Sequence, residues 1–311
     1  MTNDATDRLL VGVELGGTKT IAVVGRGREI LDRAVVPTTT PRATLDAVAT
    51  RLKLWDETFR PQGLGIASFG PVALRAGTPD HGHMLDTPKP GWAGADVLGP
   101  LAAVLPGPAA IHTDVTGAAL AEGRWGAAAG LSDFVYITVG TGVGMGIVSG
   151  GRPVSGRMHP EAGHLRVRRL PGDDFAGVCP FHGDCLEGLA SGPAIAARAG
   201  KGAEHLAPDD PAWAFVADAL AEGIVMLMLT VSAQAIVIGG GVGLGQPQVL
   251  AMIRPRIVAL LGGYLPGVDA GSIDRIVVPA ALGGDAGPLG ALLLAEMAVE
   301  QSSGVASSKR Q

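Results

Sequence analysis

A two-domain α/β fold is what this sequence predicts, on three observations. Short apolar runs that close on glycine turns recur in both halves of the chain, helical patterns alternate with them, and 311 residues suffice for two domains of ordinary size.

Residues 9–15 form an apolar strand ending at Gly16-Gly17-Thr18-Lys19-Thr20, and residues 21–24 resume as a second strand. Strand, glycine turn, strand is a hairpin whose amides and threonine hydroxyls can face a polyanion, although Gly-Gly is equally a plain turn. A Walker A loop is excluded, because its spacing is missing and no helix follows directly. Residues 28–36 continue the sheet. Leu45, Val48, Leu52, Trp55 and Phe59 recur at steps of three and four, so residues 44–59 read as an amphipathic helix packed on it. Residues 64–67 are a buried strand closed by Ser68-Phe69-Gly70-Pro71, which completes a βαβ order on a mixed sheet.

Residues 72–94 are turn-like and polar and contain Thr87-Pro88-Lys89-Pro90-Gly91-Trp92. A ligand-facing loop and a rigid surface loop fit equally, and Trp92 has little local core to join. Helical material near residues 96–105 leads to a short strand, Ala110-Ile111-His112-Thr113, then Asp114 and a helix over 118–125. An aspartate after a strand and before a helix stands where α/β sheets place ligand and catalytic groups, and equally where a helix is capped.

In the second half, residues 134–139 are a strand, Gly140-Thr141-Gly142-Val143-Gly144 a turn, and Ile147-Val148 a returning strand. The dinucleotide fingerprint fails here, since a strand follows where a helix is required. Two such turns, one in each half, suggest duplicated domains that close on a phosphate. Helices are expected around residues 190–199 and 213–231. The uncharged stretch from Gly223 to Gly241 reads as a buried helix running into a buried strand, not as a membrane span. Residues 235–238 end in Gly239-Gly240-Gly241-Val242-Gly243, exposed backbone against which a flat ring such as adenine can lie. A helix over 248–261, a strand over 275–279 and a small-residue helix to about Met297 finish the chain, with a fraying tail beyond.

Between the second glycine turn and the helices lies the densest chemistry. His159-Pro160-Glu161-Ala162-Gly163-His164 is followed by Cys179-Pro180-Phe181-His182-Gly183-Asp184-Cys185-Leu186-Glu187, which holds both cysteines of the chain. Cys-x-x-His-x-x-Cys with an upstream histidine offers the four donors that a closed structural zinc site wants. Buried small hydrophobes or a disulfide are the plainer readings. The loop's wealth of glycine, proline and aspartate speaks against an ordinary buried element. Glu161 and Glu187 are too hard to serve as further zinc ligands and look like a separate polar site.

Bulk properties narrow the classes. A net charge of −5, with 17% charged and 47% hydrophobic residues, leaves no basic footprint for nucleic acid. The 48 glycines and 22 prolines lack period, which excludes collagen-like order. Two cysteines in so long a chain make a reducing cytoplasm the default, and the acidic N-terminal octet lacks the features of a signal peptide.

Taken together, Gly16-Gly17-Thr18-Lys19, Thr113-Asp114, the Val139–Gly144 turn, His159 to His164, the Cys179/His182/Cys185 cluster and Gly239 to Val242 resemble the ROK family of sugar kinases and repressors, most of all its bacterial fructokinase branch. The resemblance covers nearly the whole chain. It implies the two-domain ribonuclease H-like, actin-like ATPase fold of the hexokinase–actin superfamily, with the active site in a cleft between domains. One domain would be residues 1–117 with 281–311, the other 118–280.

By the same resemblance Asp114 is the general base, and Thr113, Glu161, His164 and Glu187 bind the sugar. Gly16, Gly17, Thr18, Lys19, Gly140 and Thr141 hold the phosphates of Mg²⁺-ATP, and Gly240 and Gly241 lie by the nucleoside. His164, Cys179, His182 and Cys185 hold a structural Zn²⁺. The expected reaction is ATP plus fructose giving ADP and fructose 6-phosphate, in a cytoplasmic homodimer with no nucleic-acid or membrane partner. Glucose, mannose, an amino sugar or a cyclitol are alternative acceptors, and a sugar sensor without phosphoryl transfer is the rival class.

Departures matter too. Many members carry three cysteines beside the histidine, where this chain has His182 in place of one. Thr113 stands where many glucose-directed members carry Asn, which weakens a glucokinase reading. The strand at Leu9 leaves no room for the repressors' DNA-binding domain.

Overall fold

The computed structural model describes residues 8–308, so the acidic N-terminal stretch 1–7 and the last three residues of the tail lie outside the described residues. In chain order the elements are β1 (Leu10–Leu15), β2 (Lys19–Arg26), β3 (Glu29–Pro37), α1 (Pro41–Phe59), β4 (Leu64–Ser68), α2 (Leu98–Ala102), β5 (Ala109–Thr113) and α3 (Asp114–Trp125). Then follow β6 (Phe134–Val139), β7 (Val143–Ser149), β8 (Arg152–Pro153), α4 (Leu186–Ala190), α5 (Gly192–Ala199), α6 (Ala212–Val231), β9 (Ala235–Gly239), α7 (Gly240–Gly245), α8 (Pro247–Leu261), α9 (Ile273–Ile276), β10 (Val277–Pro279) and α10 (Ala286–Ser308).

The chain divides into two compact units: residues 1–121, 155–159 and 284–311 in the first, 122–154 and 160–283 in the second. The short stretch 155–159, assigned above to the second domain, thus belongs to the first. His159 shows why: it is buried, and its Nε2 accepts the Val72 N–H at 3.1 Å.

In the first unit the strand order is β3-β2-β1-β4-β5. β1 pairs antiparallel with β2 and parallel with β4, and β4 pairs parallel with β5. Every residue of β4 is buried, whereas β3, at the edge, alternates half-buried and exposed positions, as a strand with one covered face must. α1 starts three residues earlier than periodicity indicates, because Thr40 caps it and Pro41 fits the first turn, where its missing N–H costs nothing. It buries Leu45, Val48, Leu52 and Trp55 against the sheet. The C-terminal α10 completes this unit by packing on β1, β4 and β5. A side chain at Gly65 would overlap the Ala291 carbonyl oxygen of α10, so only glycine allows this approach. α10 runs to Ser308 instead of ending near Met297.

The segment 72–96 makes few regular elements, yet it is not a bare surface loop. Trp92, expected to lack a core, is fully buried. Its indole N–H donates to the Thr39 carbonyl at 2.8 Å, and its ring meets Phe69 edge-on at 5.1 Å. Burial of so large a ring is worth ~3 kcal/mol and anchors the loop.

The second unit has the strand order β10-β9-β6-β7-β8, with β6–β7–β8 antiparallel and β6–β9–β10 parallel. This repeats the first unit strand for strand. α6, the helix long and apolar enough to cross a membrane, is built into this unit's core through Trp213, Val216, Leu220, Ile224 and Met228. Glu122, on α3, is fully buried and its carboxylate takes the N–H groups of Ala127 (2.7 Å), Leu282 (2.9 Å) and Ala281 (3.2 Å). Three donors satisfy a charge that would otherwise be costly to bury.

Candidate active site

Parallel pairing brings Leu15, Ser68 and Thr113 side by side at the carboxyl ends of β1, β4 and β5. The Gly16–Lys19 turn, the Phe69–Pro71 loop and Asp114 therefore leave one edge of one sheet, the edge where α/β folds gather reactive groups. Asp114 is the first residue of α3, which starts four residues before the expected position. Its cap is Thr113, whose buried hydroxyl accepts the Thr116 N–H at 3.3 Å and donates to the Thr116 hydroxyl at 2.8 Å. The Asp114 carboxylate, which accepts its neighbour Val115 N–H at 2.8 Å, is thus not needed as the cap.

Glu14 points to the same edge. Burial lifts its carboxyl to about 7, and the nearby Asp114 charge adds to the rise, while Lys19 and Arg33 oppose it. Behind the aspartate, burial holds His112 neutral by lowering its pKa to about 4, with His159 contributing. The Gly16–Lys19 turn has its carbonyls turned inward: Lys19 O accepts from Gly16 N–H, Thr18 O from Thr38 N–H, and Gly17 O from Lys89 Nζ. Gly17, Thr18 and Lys19 are exposed. A turn with satisfied carbonyls and outward amides favours an anion.

The second unit repeats the edge with different chemistry. Gly140-Thr141-Gly142 follows β6, and β9 runs into Gly240-Gly241 alongside. Gly240 has φ +83°, and a side chain there would collide with the backbone of Val139. The glycine run is not wholly open backbone, since residues from Gly240 onward form α7. Glu187, in the first turn of α4, accepts the Val143 N–H at 3.1 Å, which ties the glycine turn to the start of α4.

The Cys/His segment comes together as its spacing predicts. Ligand atoms of His164, Cys179, His182 and Cys185 all lie within 4.8 Å of one another. His164 Nδ1 is 3.4 Å from Cys185 Sγ and 3.7 Å from Cys179 Sγ, and His182 Nδ1 is 3.7 Å from Cys179 Sγ. With Zn–S about 2.3 Å and Zn–N about 2.0 Å, adjacent tetrahedral ligands are roughly 3.6 Å apart, so the donor set fits zinc. Both cysteines are buried and unbridged. Burial pushes the Cys185 thiol up to about 11, so a cation entering here must displace protons. The other nitrogen of His164, Nε2, is 4.0 Å from Glu161 Oε2.

Ion pairs brace the same segment. Arg198, buried between Phe175 and Phe215, binds both oxygens of Asp173. Burial alone would raise Asp173, but Arg198 and Arg169 outweigh it and hold the carboxyl at about 2. Sequence reasoning missed this brace, as it missed Glu122 and Lys89. Only Lys89 had a visible signal, its place between two prolines just before Trp92.

The ROK family profile matches residues 10–298. A fructokinase of Pediococcus pentosaceus is 40% identical over 295 residues, 94% of this chain and 100% of that one. A fructokinase of Zymomonas mobilis is 41% identical over 298 residues, 93% and 97%. Among solved structures, a ROK family glucokinase from Streptomyces griseus in complex with glucose and AMPPNP superposes with TM-score 0.74 at 27% identity, covering 93% of this chain and 99% of that one.

Proposed function

This chain belongs to the ROK family, and we propose that it transfers the γ-phosphoryl group of ATP to a hydroxyl of fructose. The observation that carries the reading is Asp114 at the carboxyl edge of β5, released from capping by Thr113 and on the same sheet edge as the Gly16–Lys19 turn. Fructose as acceptor is supported by relatives named fructokinase at 40% and 41% identity over nearly the whole chain, and by Thr113 in place of Asn.

In this mechanism Asp114 orients the attacking hydroxyl and takes its proton as the bond to phosphorus forms. Gly16, Gly17, Thr18, Lys19, Gly140 and Thr141 hold the phosphates, and Gly240 and Gly241 the nucleoside. Thr113, Glu161, Glu187 and His164 bind sugar hydroxyls, and the buried Thr113 also sets the start of α3. Mg²⁺ bound with the nucleotide would neutralise phosphate charge, and Glu14, beside the first glycine turn, would stand by its water shell.

His164, Cys179, His182 and Cys185 would hold a Zn²⁺ in a structural role, pinning their segment. Ligation through Nδ1 leaves His164 Nε2–H as a directed donor toward the sugar, with Glu161 at its side. The same reading makes the enzyme a cytoplasmic homodimer, on family resemblance alone. An ADP-release screen over hexoses, amino sugars and cyclitols tests it: kcat/KM should be highest for fructose, and no release with any of them would overturn the reading.

A further inference from the structure

Lys89 has no part in the reading above, and its surroundings are unusual for a lysine. Pro88 and Pro90 fix the backbone on either side. The Lys89 carbonyl accepts the N–H of the buried Trp92, and the Lys89 N–H reaches the Thr87 hydroxyl at 3.4 Å. So braced, its half-buried side chain extends to the first glycine turn, where Nζ donates to the Gly17 carbonyl at 2.5 Å. That bond uses one of three ammonium donors. Among the described residues no carboxylate lies within 4.0 Å of Nζ.

A lysine held in place at the cost of its side-chain freedom, beside an anion-type turn and without a counter-ion, is set up to receive its counter-ion from a ligand. The N–H groups of Gly17 and Thr18 are taken by no acceptor among the described residues, so the turn keeps donors of its own for an anion beside the ammonium.

We infer that Lys89 is a further catalytic residue: its ammonium binds the terminal phosphate of the nucleotide at the Gly16–Thr18 turn and stays on it through transfer. The inference rests on the kinase reading and deepens it. The terminal phosphate is the one concerned because the turn shares its sheet edge with Asp114, and the phosphate beside the base is the one that moves. In that step the sugar oxygen bonds to the terminal phosphorus as the bond from phosphorus to the bridging oxygen breaks. The hydroxyl proton passes to Asp114, and the electron pair leaves on the terminal oxygen of ADP. Lys89 keeps its proton throughout, and its charge offsets the negative charge spreading over the phosphoryl oxygens.

A merely structural lysine would tie the 72–96 loop to the turn through the Gly17 carbonyl, a task glutamine performs without charge. The test therefore compares Lys89→Met, Lys89→Gln and Lys89→Arg. It measures kcat and KM for ATP and fructose, calorimetric binding of Mg-AMPPNP and of inorganic tripolyphosphate, and thermal unfolding. Lys89→Met and Lys89→Gln should both lower kcat/KM for ATP by about 100-fold or more, with fructose KM within about threefold of wild type. Lys89→Arg should recover about tenfold of that loss. Activity restored by Lys89→Gln, or a loss confined to fructose KM, would overturn the inference. If the wild type releases no ADP with any sugar, the kinase reading falls, and calorimetry still decides Lys89. Equal binding of tripolyphosphate by wild type and Lys89→Gln, or no binding by either, would refute it.

Discussion

At the penultimate position of their first strands the two sheets carry Glu14 and Thr138, and just past their fifth strands Asp114 and Ala280. The strand orders are the same, and both first hairpins turn through glycine and threonine. One sheet edge therefore holds two carboxylates close enough to perturb one another, while the other presents neutral groups and amides, joined by Glu187 from a helix. The second unit adds what the first lacks, a Cys/His segment between β8 and α4. Both sheets carry an anion-type turn, and among the described residues the mutually perturbed carboxylates stand at the edge of the first.

The sharpest way to break this comparison is Asp114→Asn. The variant keeps shape and loses the proton acceptor, so kcat should fall at least ~100-fold while fructose still binds and the fold persists. Near-normal turnover in the purified variant would mean that the asymmetry between the sheets has nothing to do with catalysis.

Glu14→Gln addresses the same edge through stability. The folded pKa is raised from 4.5 to about 7, so the ligand-free protein binds more protons folded than unfolded in that window. The contribution is whole below pH 4.5 and is lost as pH rises toward 7, which makes wild type relatively less stable at pH 8 than at pH 5, by about 2–3 kcal/mol. In the Gln variant that difference should vanish, as urea midpoints at the two pH values would record. An unchanged pH slope in the variant would show that Glu14 is not the group responsible.

The smallest effect tests the inserted segment. The chain should carry about one zinc, and Cys179→Ser should shed it and raise fructose KM about tenfold by releasing His164 and Glu161. The first unit's pH dependence should survive unaltered. Elemental analysis that finds no zinc in freshly made, chelator-free wild type would count against the whole assignment.

Much of this architecture was legible in the residues. Alternation and glycine punctuation located most strands to within a residue or two, and the three donors of Cys-x-x-His-x-x-Cys come together with the upstream His164. What escaped was long-range. Trp92 is buried by Thr39 and Phe69, partners no local window contains. Glu122 is stabilised by amides about 160 residues away, and Lys89 meets a turn 72 residues upstream. The start of α3 at Asp114 was missed for a nearer reason: Thr113, ending a strand, also caps the helix that follows.

α10 carries a last implication, for the order in which the molecule is made. The strands of the first sheet precede the second unit, yet the close-fitting partner of Gly65 is Ala291 of α10, which follows it. The residues of the second unit, 122–154 and 160–283, are all synthesised before α10. The nascent first sheet must wait with β1 and β4 uncovered while the inserted unit can already assemble. The first unit is thus the one that closes last, and truncation within α10 would strike its sheet.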